Sequence, residues 1–229
     1  MSSNSNPVIV TEKLNRLFGV GGQKIHVLKD INLSVASGTL TILKGRSGSG
    51  KTTLMNLLGA LDSPSSGKIL FDDVDITEMS EKQKDDLRRM KMGFVFQSVA
   101  LISMMSAYEN VEFGLRIAGY DPKYRKQRSE ECLELVGLEK RMHHKPQEMS
   151  GGEQQRVAIA RALAHKPRII FADEPTAELD THMGLKIVTL FKKLVEKEGI
   201  TVLMTTHDPG MMEVADKVYA LEDGEIANG

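Results

Sequence analysis

The sequence predicts an α/β fold built on a mainly parallel sheet, and three observations carry that expectation. First, residues 40–43, 168–172 and 200–204 are short apolar runs without strict alternation, the pattern of strands covered on both faces. Second, helical periodicity lies between such runs, as in 184–198, where Leu185, Val188, Leu190, Phe191, Leu194 and Val195 recur at helical spacing. Third, the run from Gly45 to Thr52 (GRSGSGKT) fits G-x-x-x-x-G-K-[ST], with an apolar strand before it and a helix-forming stretch at 53–58 after it.

The other elements come in order along the chain. Residues 1–7 form a polar tail, and 8–229 form one domain. Strand-like runs at 8–10, 25–28 and 31–35, the last two flanking Lys29 and Asp30, begin an N-terminal antiparallel β-subdomain. Runs 68–71 and 74–76 make a hairpin around Asp72 and Asp73, and 92–96 is a further strand. From about 98 to 165 the pattern becomes helical, with helices at 107–117 and 124–136, which predicts a helical subdomain inserted into the sheet domain. Strands at 217–221 and 224–226, turning at Glu222 and Asp223, close the domain.

Composition excludes several classes. Hydrophobic residues are 41% and charged residues 27% of 229, an ordinary globular balance. A net charge of −1 provides no basic field for collecting nucleic acid, so no nucleic-acid partner is expected. Cys132 is the single cysteine, which removes any intrachain disulfide; it lies in a helical pattern as a packing residue rather than a reactive thiol. No apolar run approaches the roughly 18 residues of a membrane span, and the first residues carry no apolar leader segment, so a membrane role would come through a partner.

The glycine-rich loop indicates phosphate binding. Backbone N–H groups of Gly45, Ser47, Gly48, Ser49, Gly50, Lys51, Thr52 and Thr53 would surround anionic oxygens, with the positive end of the following helix behind them. Lys51 would reach the terminal phosphates, and the Thr52 hydroxyl would ligate Mg²⁺. The acidic pair Asp173 and Glu174 ends a buried strand, where a parallel sheet holds its ligands. Asp173 suits the metal; Glu174, pointing elsewhere, suits polarising an attacking water. Taken alone, two acids there are also an ordinary strand end meeting solvent. Ser150, Gly151 and Gly152 open an Ala/Val/Ile-rich helix, either as a plain cap or as a second phosphate-gripping terminus.

With these motifs in this order, the chain resembles the nucleotide-binding subunits of ABC transporters over residues 8 to 227. The resemblance implies a P-loop NTPase fold and assigns roles by position. Gly45 to Thr52 is the Walker A loop; Gln97, after Phe94-Val95-Phe96, is the Q-loop contact to Mg²⁺ and water; Ser150-Gly151-Gly152 is the signature. Asp173 and Glu174 are the Walker B aspartate and the catalytic glutamate, residues 177–180 ending in Asp180 are the D-loop, and His207 is the switch histidine. Phe18, the only aromatic before the phosphate loop, is the candidate to stack on adenine, with a packing role as its alternative. Three positions depart from the usual pattern: Met149 and Glu153 replace the first and last signature residues, and Ala177 opens the D-loop without a side-chain hydrogen bond. Glu153 brings negative charge near a nucleotide held by another copy, so affinity in trans is the quantity it bears on.

The resemblance implies an ATP-hydrolysing subunit with ATP and Mg²⁺, working as a homodimer that closes head to tail over two nucleotides. It would energise a membrane permease from the cytoplasmic face of a bacterial cell membrane. The permease is expected to dock near Leu101, Met104 and Met105, which are apolar where a surface loop could be polar; inward packing is the alternative. The run after Gln97 and the compact length resemble the lipoprotein-release, macrolide-efflux and cell-division group, which drives an export or mechanotransmission permease. A soluble relative acting on nucleic acid or in cofactor assembly is the rival reading.

Overall fold

In the computed structural model, residues 6–227 are described. The expected tail falls mostly on residues 1–5, outside the described residues; Pro7 already opens the first strand. Two sheets organise the chain. The antiparallel sheet holds β1 (Pro7–Val20), β2 (Gln23–Ile31), β5 (Ser66–Phe71) and β6 (Val74–Asp75) in the order β2-β1-β5-β6, with β3 (Ser34–Ala36) also paired to β1. The larger sheet has β4 (Leu40–Lys44), β7 (Met92–Val95), β8 (Ile169–Ala172), β9 (Thr201–Thr206), β10 (Lys217–Glu222) and β11 (Glu225–Ala227). Its order is β11-β10-β4-β9-β8-β7, parallel throughout except for the terminal hairpin β10–β11.

The period of two along the parallel strands separates the core into two halves. Leu40, Ile42, Ile170, Ala172, Val202 and Met204 face one apolar cluster. Leu43, Ile169, Phe171 and Leu203, their strand neighbours, face the other. Helices α3 (Ala107–Ile117), α4 (Pro122–Leu135), α5 (Gly151–Leu163) and α6 (Thr181–Glu198) contribute to the first cluster; α1 (Lys51–Leu58) and the antiparallel sheet contribute to the second. A strand covered on both sides cannot alternate apolar with polar, which is why these runs read as continuous.

Several boundaries differ from expectation. The expected separation of runs 25–28 and 31–35 at Lys29 and Asp30 is not a strand end: β2 runs through both to Ile31, with Asp30 at φ +46 bending it. The first strand extends to Val20 and turns back through Gly21 and Gly22, both at positive φ, into β2. This is the two-residue hairpin geometry that glycine permits. A charged helix α2 (Glu81–Lys91) precedes β7; it lacks an apolar stripe but carries a capping box between Ser80 and Gln83. Helix α6 starts at Thr181, capped by Asp180, and Leu185 on it is 42% exposed rather than core-facing. Cys132 is buried, and burial pushes its thiol up to about 12, as a packing residue requires.

Asp216 ties the end of α6 to the sheet. It accepts from the Leu40 N–H at 2.9 Å and from Lys192. Burial pushes its carboxyl up, but the hydrogen bonds from Lys192 and Leu40 together with the Lys192 charge leave it below the ordinary value. A carboxyl lowered in the folded state adds stability that is present above its unfolded value, about 3.9, and lost as pH falls through the lower folded value. Asp216→Asn should therefore lower the thermal midpoint at neutral pH and narrow its gap from wild type as the buffer is taken below about pH 4; a gap that widens on acidification would contradict this role for Asp216.

Candidate functional site

Helix α1 starts differently from every other α-helix in the described residues. Ser80, Ser106 and Ser150 close capping boxes on α2, α3 and α5, and Asp121 and Asp180 cap α4 and α6 with their carboxylates. Helix α1 has Gly50 at its N-cap, at φ +105, with no side-chain hydrogen bond and no acid in its first turn. Its leading N–H groups are thus open to an external anion. The loop before it is tightly built: a Cβ on Gly45 would lie 2.4 Å from the Leu221 carbonyl and 2.5 Å from Ser49 Oγ. Ser49 Oγ is itself buried without a partner.

A cleft of about 690 Å³ opens in front of this helix, lined by Arg46, Ser47, Gly48, Gly50, Lys51, Thr52, Thr53, Gln97, Asp173, Glu174, His207 and Val27. Most of the expected site residues therefore converge. Lys51 is 5% exposed and donates to the carbonyls of Gly45 at 2.9 Å and Arg46 at 3.2 Å. Its ammonium also lies 3.3 Å from Glu174 Oε1, while the other Glu174 oxygen is 2.9 Å from His207 Nδ1. Glu174 does not point away from Asp173's site, as the sequence suggested; its backbone at φ +45 turns the carboxylate into the same cleft. Left-handed backbone at a non-glycine residue is strained and persists where surrounding structure holds it.

Thr205 does much of that holding. It is fully buried at the end of β9, donates to Asp173 Oδ1 at 2.7 Å and accepts from the Glu174 N–H at 2.8 Å. One hydroxyl thus orients both acids. The linear sequence does not announce it: Thr205 is one of two threonines ending β9, and its reach to Asp173 depends on β9 lying beside β8.

The remaining candidates lie outside the cleft. Ser150 and Gly151 are exposed and Gly152 is buried at the start of α5, away from the cleft lining, and the Asp180 carboxylate accepts from the Met183 N–H at 3.0 Å as the cap of its own helix. Phe18 is half-buried on β1 opposite Ile25, two residues before the cleft residue Val27, and the Arg16 guanidinium sits 4.5 Å from its ring centre. After Gln97, Val99 and Ala100 both have φ +49, and Arg161 of α5 donates to their carbonyls at 3.2 and 2.7 Å. Of the docking candidates, Met104 is 76% exposed, Met105 is half-buried, and Leu101 packs on the core cluster as the inward reading anticipated.

Comparison with known proteins agrees with this geometry. Residues 28–177 match the family model described as ABC transporter. An uncharacterised ABC transporter ATP-binding protein of Methanocaldococcus jannaschii, MJ1508, is 43% identical over 96% of this chain and 97% of its own. The macrolide export ATP-binding/permease protein MacB of Aggregatibacter actinomycetemcomitans is 43% identical over 96% of this chain, which spans only 34% of MacB. Among solved structures, a dimeric post-hydrolysis state of the ATP-binding cassette MJ0796 bound to ADP and Pi superposes with a TM-score of 0.86 at 39% identity, covering 96% of this chain and 97% of that one. The chain belongs to the ABC transporter family. It is an ATP-binding cassette of the P-loop NTPase fold, an ATPase whose hydrolysis is coupled to transport.

The residues present fit a magnesium nucleotide. Thr52 and Gln97 offer neutral oxygens and Asp173 a carboxylate, the hard donors Mg²⁺ prefers. Among the described residues no cluster of three His, Cys, Asp or Glu side chains could hold a metal alone; Mg²⁺ in phosphate sites takes few protein ligands and completes its shell with phosphate and water.

Thr205→Val should preserve the fold and reduce ATP turnover by about tenfold or more, because both acids lose their common tether. Thr205→Ser should restore most of the rate. Phosphate release measured beside a melting curve checks this, and equal rates for valine and wild type would rule out the tethering role.

Proposed function

We propose that two copies of this chain close head to tail over two ATP molecules, and that the closing and opening of that pair drives a membrane permease. The observation that carries the reading is the uncapped start of α1 facing Lys51, Glu174 and His207 in one cleft. Lys51 and the backbone of Gly45 to Thr53 bind and orient the phosphates. Thr52, Gln97 and Asp173 hold Mg²⁺, which when bound neutralises phosphate charge. Glu174 accepts a proton from the attacking water, and His207, hydrogen-bonded to it at 2.9 Å, fixes its orientation and reaches toward the terminal phosphate. Phe18 stacks on the adenine, and Ser150, Gly151 and Gly152 of the opposing copy, with Asp180 near them, complete the anion site. The dimeric MJ0796 cassettes support the pairing, and MacB, whose name joins an ATP-binding part to a permease, supports the membrane partner.

The permease docks on the segment after Gln97, with Met104 as the exposed apolar contact and Met105 and Leu101 behind it. This places the chain at the cytoplasmic face of a membrane, in the lipoprotein-release, macrolide-efflux and cell-division group. Its own helices agree with a peripheral position only in that none among the described residues is long and apolar enough to cross a membrane.

Glu174→Gln should retain ATP binding, accumulate an ATP-dependent dimer and lose about 10²–10⁴ in turnover, the usual contribution of a general base. Sedimentation with ATP and Mg²⁺ and a phosphate-release assay read the two effects separately; turnover near wild type would remove Glu174 from the mechanism. Met104→Asp should leave basal ATPase intact and abolish copurification with the permease from membranes. Retained copurification would move the docking surface elsewhere.

A further inference from the structure

Two helix starts in this chain are asked to face phosphate, and they are prepared in opposite ways. The start of α1 is open, with neither a side-chain cap nor an acid in its first turn. The start of α5 is closed by its own side chains. The Ser150 N–H donates to Glu153 Oε2 at 2.8 Å, the Ser150 hydroxyl donates to the same oxygen at 2.9 Å, and the Glu153 N–H donates to Ser150 Oγ at 3.3 Å. A serine hydroxyl has one proton, and here a carboxylate takes it. The hydrogen bond from the Ser150 N–H outweighs burial and, with that from the Ser150 hydroxyl and the charges of Arg141 and Arg156, holds the Glu153 carboxyl below its ordinary value. Glu153 is therefore charged at neutral pH. Arg141, from the segment after α4, places Nε 3.5 Å from Glu153 Oε1 and is the cation that faces this charge; the other cation nearby is Arg156 on the next turn of α5, and the His144 ring contacts Arg141.

We infer that Glu153 is a positioning residue that opposes nucleotide capture in trans, by holding the Ser150 hydroxyl and by setting a negative charge beside the incoming terminal phosphate, and that Arg141 moderates this opposition. The inference rests on the proposed head-to-tail pairing. Before Ser150 can donate to a phosphate oxygen its hydroxyl must leave Glu153, and a bond to a carboxylate is roughly twice as strong as one to a neutral acceptor. Because the pair is symmetric, the effect enters twice per dimer. The chain supplies its own control: on α2 the same box is closed by Gln83, whose Oε1 accepts from the Ser80 N–H at 2.9 Å and the Ser80 hydroxyl at 2.8 Å. Glutamine in this position keeps the cap and deletes the charge.

The test measures the dimer dissociation constant by sedimentation with ATP and Mg²⁺ in the Glu174→Gln background, adding Glu153→Gln, Arg141→Gln, or both. Glu153→Gln should tighten the dimer by about tenfold or more at low salt, with an unchanged melting temperature without nucleotide. The gain should shrink as salt is raised, because the charge it removes becomes screened. Arg141→Gln should loosen the dimer, and the double variant should match Glu153→Gln alone, since Arg141 then has no charge to offset. A Glu153→Gln dimer within about twofold of its parent, or a gain insensitive to salt, overturns the inference. If the Glu174→Gln parent itself never dimerises with ATP, the head-to-tail reading fails, a result distinct from the first.

Discussion

The structure depends on a helix that begins without a cap. The five other α-helices among the described residues satisfy their first turn with a serine or aspartate side chain. Losing such a cap costs about 1 kcal/mol in an ordinary helix. Helix α1 omits it and adds a buried ammonium, Lys51, at the same place. Positive charge at a helix N-terminus opposes the helix dipole. The loop carbonyls of Gly45 and Arg46 and the Glu174 carboxylate partly answer this charge. A polyphosphate answers both the open N–H groups and Lys51 at once. Nucleotide binding and stability of this corner are therefore one interaction, and within it the strained backbone of Glu174 is held by Thr205.

Contacts inside the chain link this corner to the signature. Arg161, on the same helix that Ser150 starts, holds the carbonyls of Val99 and Ala100 just beyond Gln97. Val99 is β-branched at φ +49, a conformation that requires external support. At the other end of α5, a Cβ on Gly152 would meet Met183 Cε at 2.7 Å, and one on Gly151 would lie 3.6 Å from Leu179 Cδ2. The signature helix is thus bound to the Gln97 loop through its last turns and to the segment around Asp180 through its first. A displacement of α5 on nucleotide capture reaches both places through direct contact, without a longer relay.

The fold was legible where local chemistry and tertiary burial agree. Runs such as 168–172 are buried on both faces and look it, and the 107–117 helix begins at Ala107 because Ser106 and Glu109 close a capping box there. Legibility failed where periodicity is silent. Helix α2 has few apolar residues, so only Ser80 and Gln83 announce it. The β1–β2 hairpin is written in Gly21 and Gly22, but the strand ends beside it give no clean apolar face, with Leu17 and Phe18 half-buried and residues 23–26 exposed. The break between runs 25–28 and 31–35 at Lys29 and Asp30 is a bend within β2, where polar residues interrupt the apolar pattern without ending the strand. In the site, the phosphate loop and the acids were readable as motifs. Thr205 was not, since its role arises from β9 lying beside β8, a neighbour relation fixed by the sheet and absent from the linear chain.

The contrast between the two helix starts also bears on when the pair closes. An open terminus such as that of α1 offers its N–H groups to an anion without first breaking a side-chain cap, and its cleft belongs to one chain. A terminus closed by Ser150 and Glu153 must exchange one acceptor for another before it takes phosphate. With uncapped and capped starts in series, a single chain binds nucleotide readily while the second contact forms only against a penalty. In the proposed pair, that order would keep the nucleotide-loaded chain from pairing at once, so that closure would respond to whatever supplies the missing free energy. The segment after Gln97, proposed above as the permease seat, is suited to supply it, because Arg161 ties that segment to the same helix whose start must open.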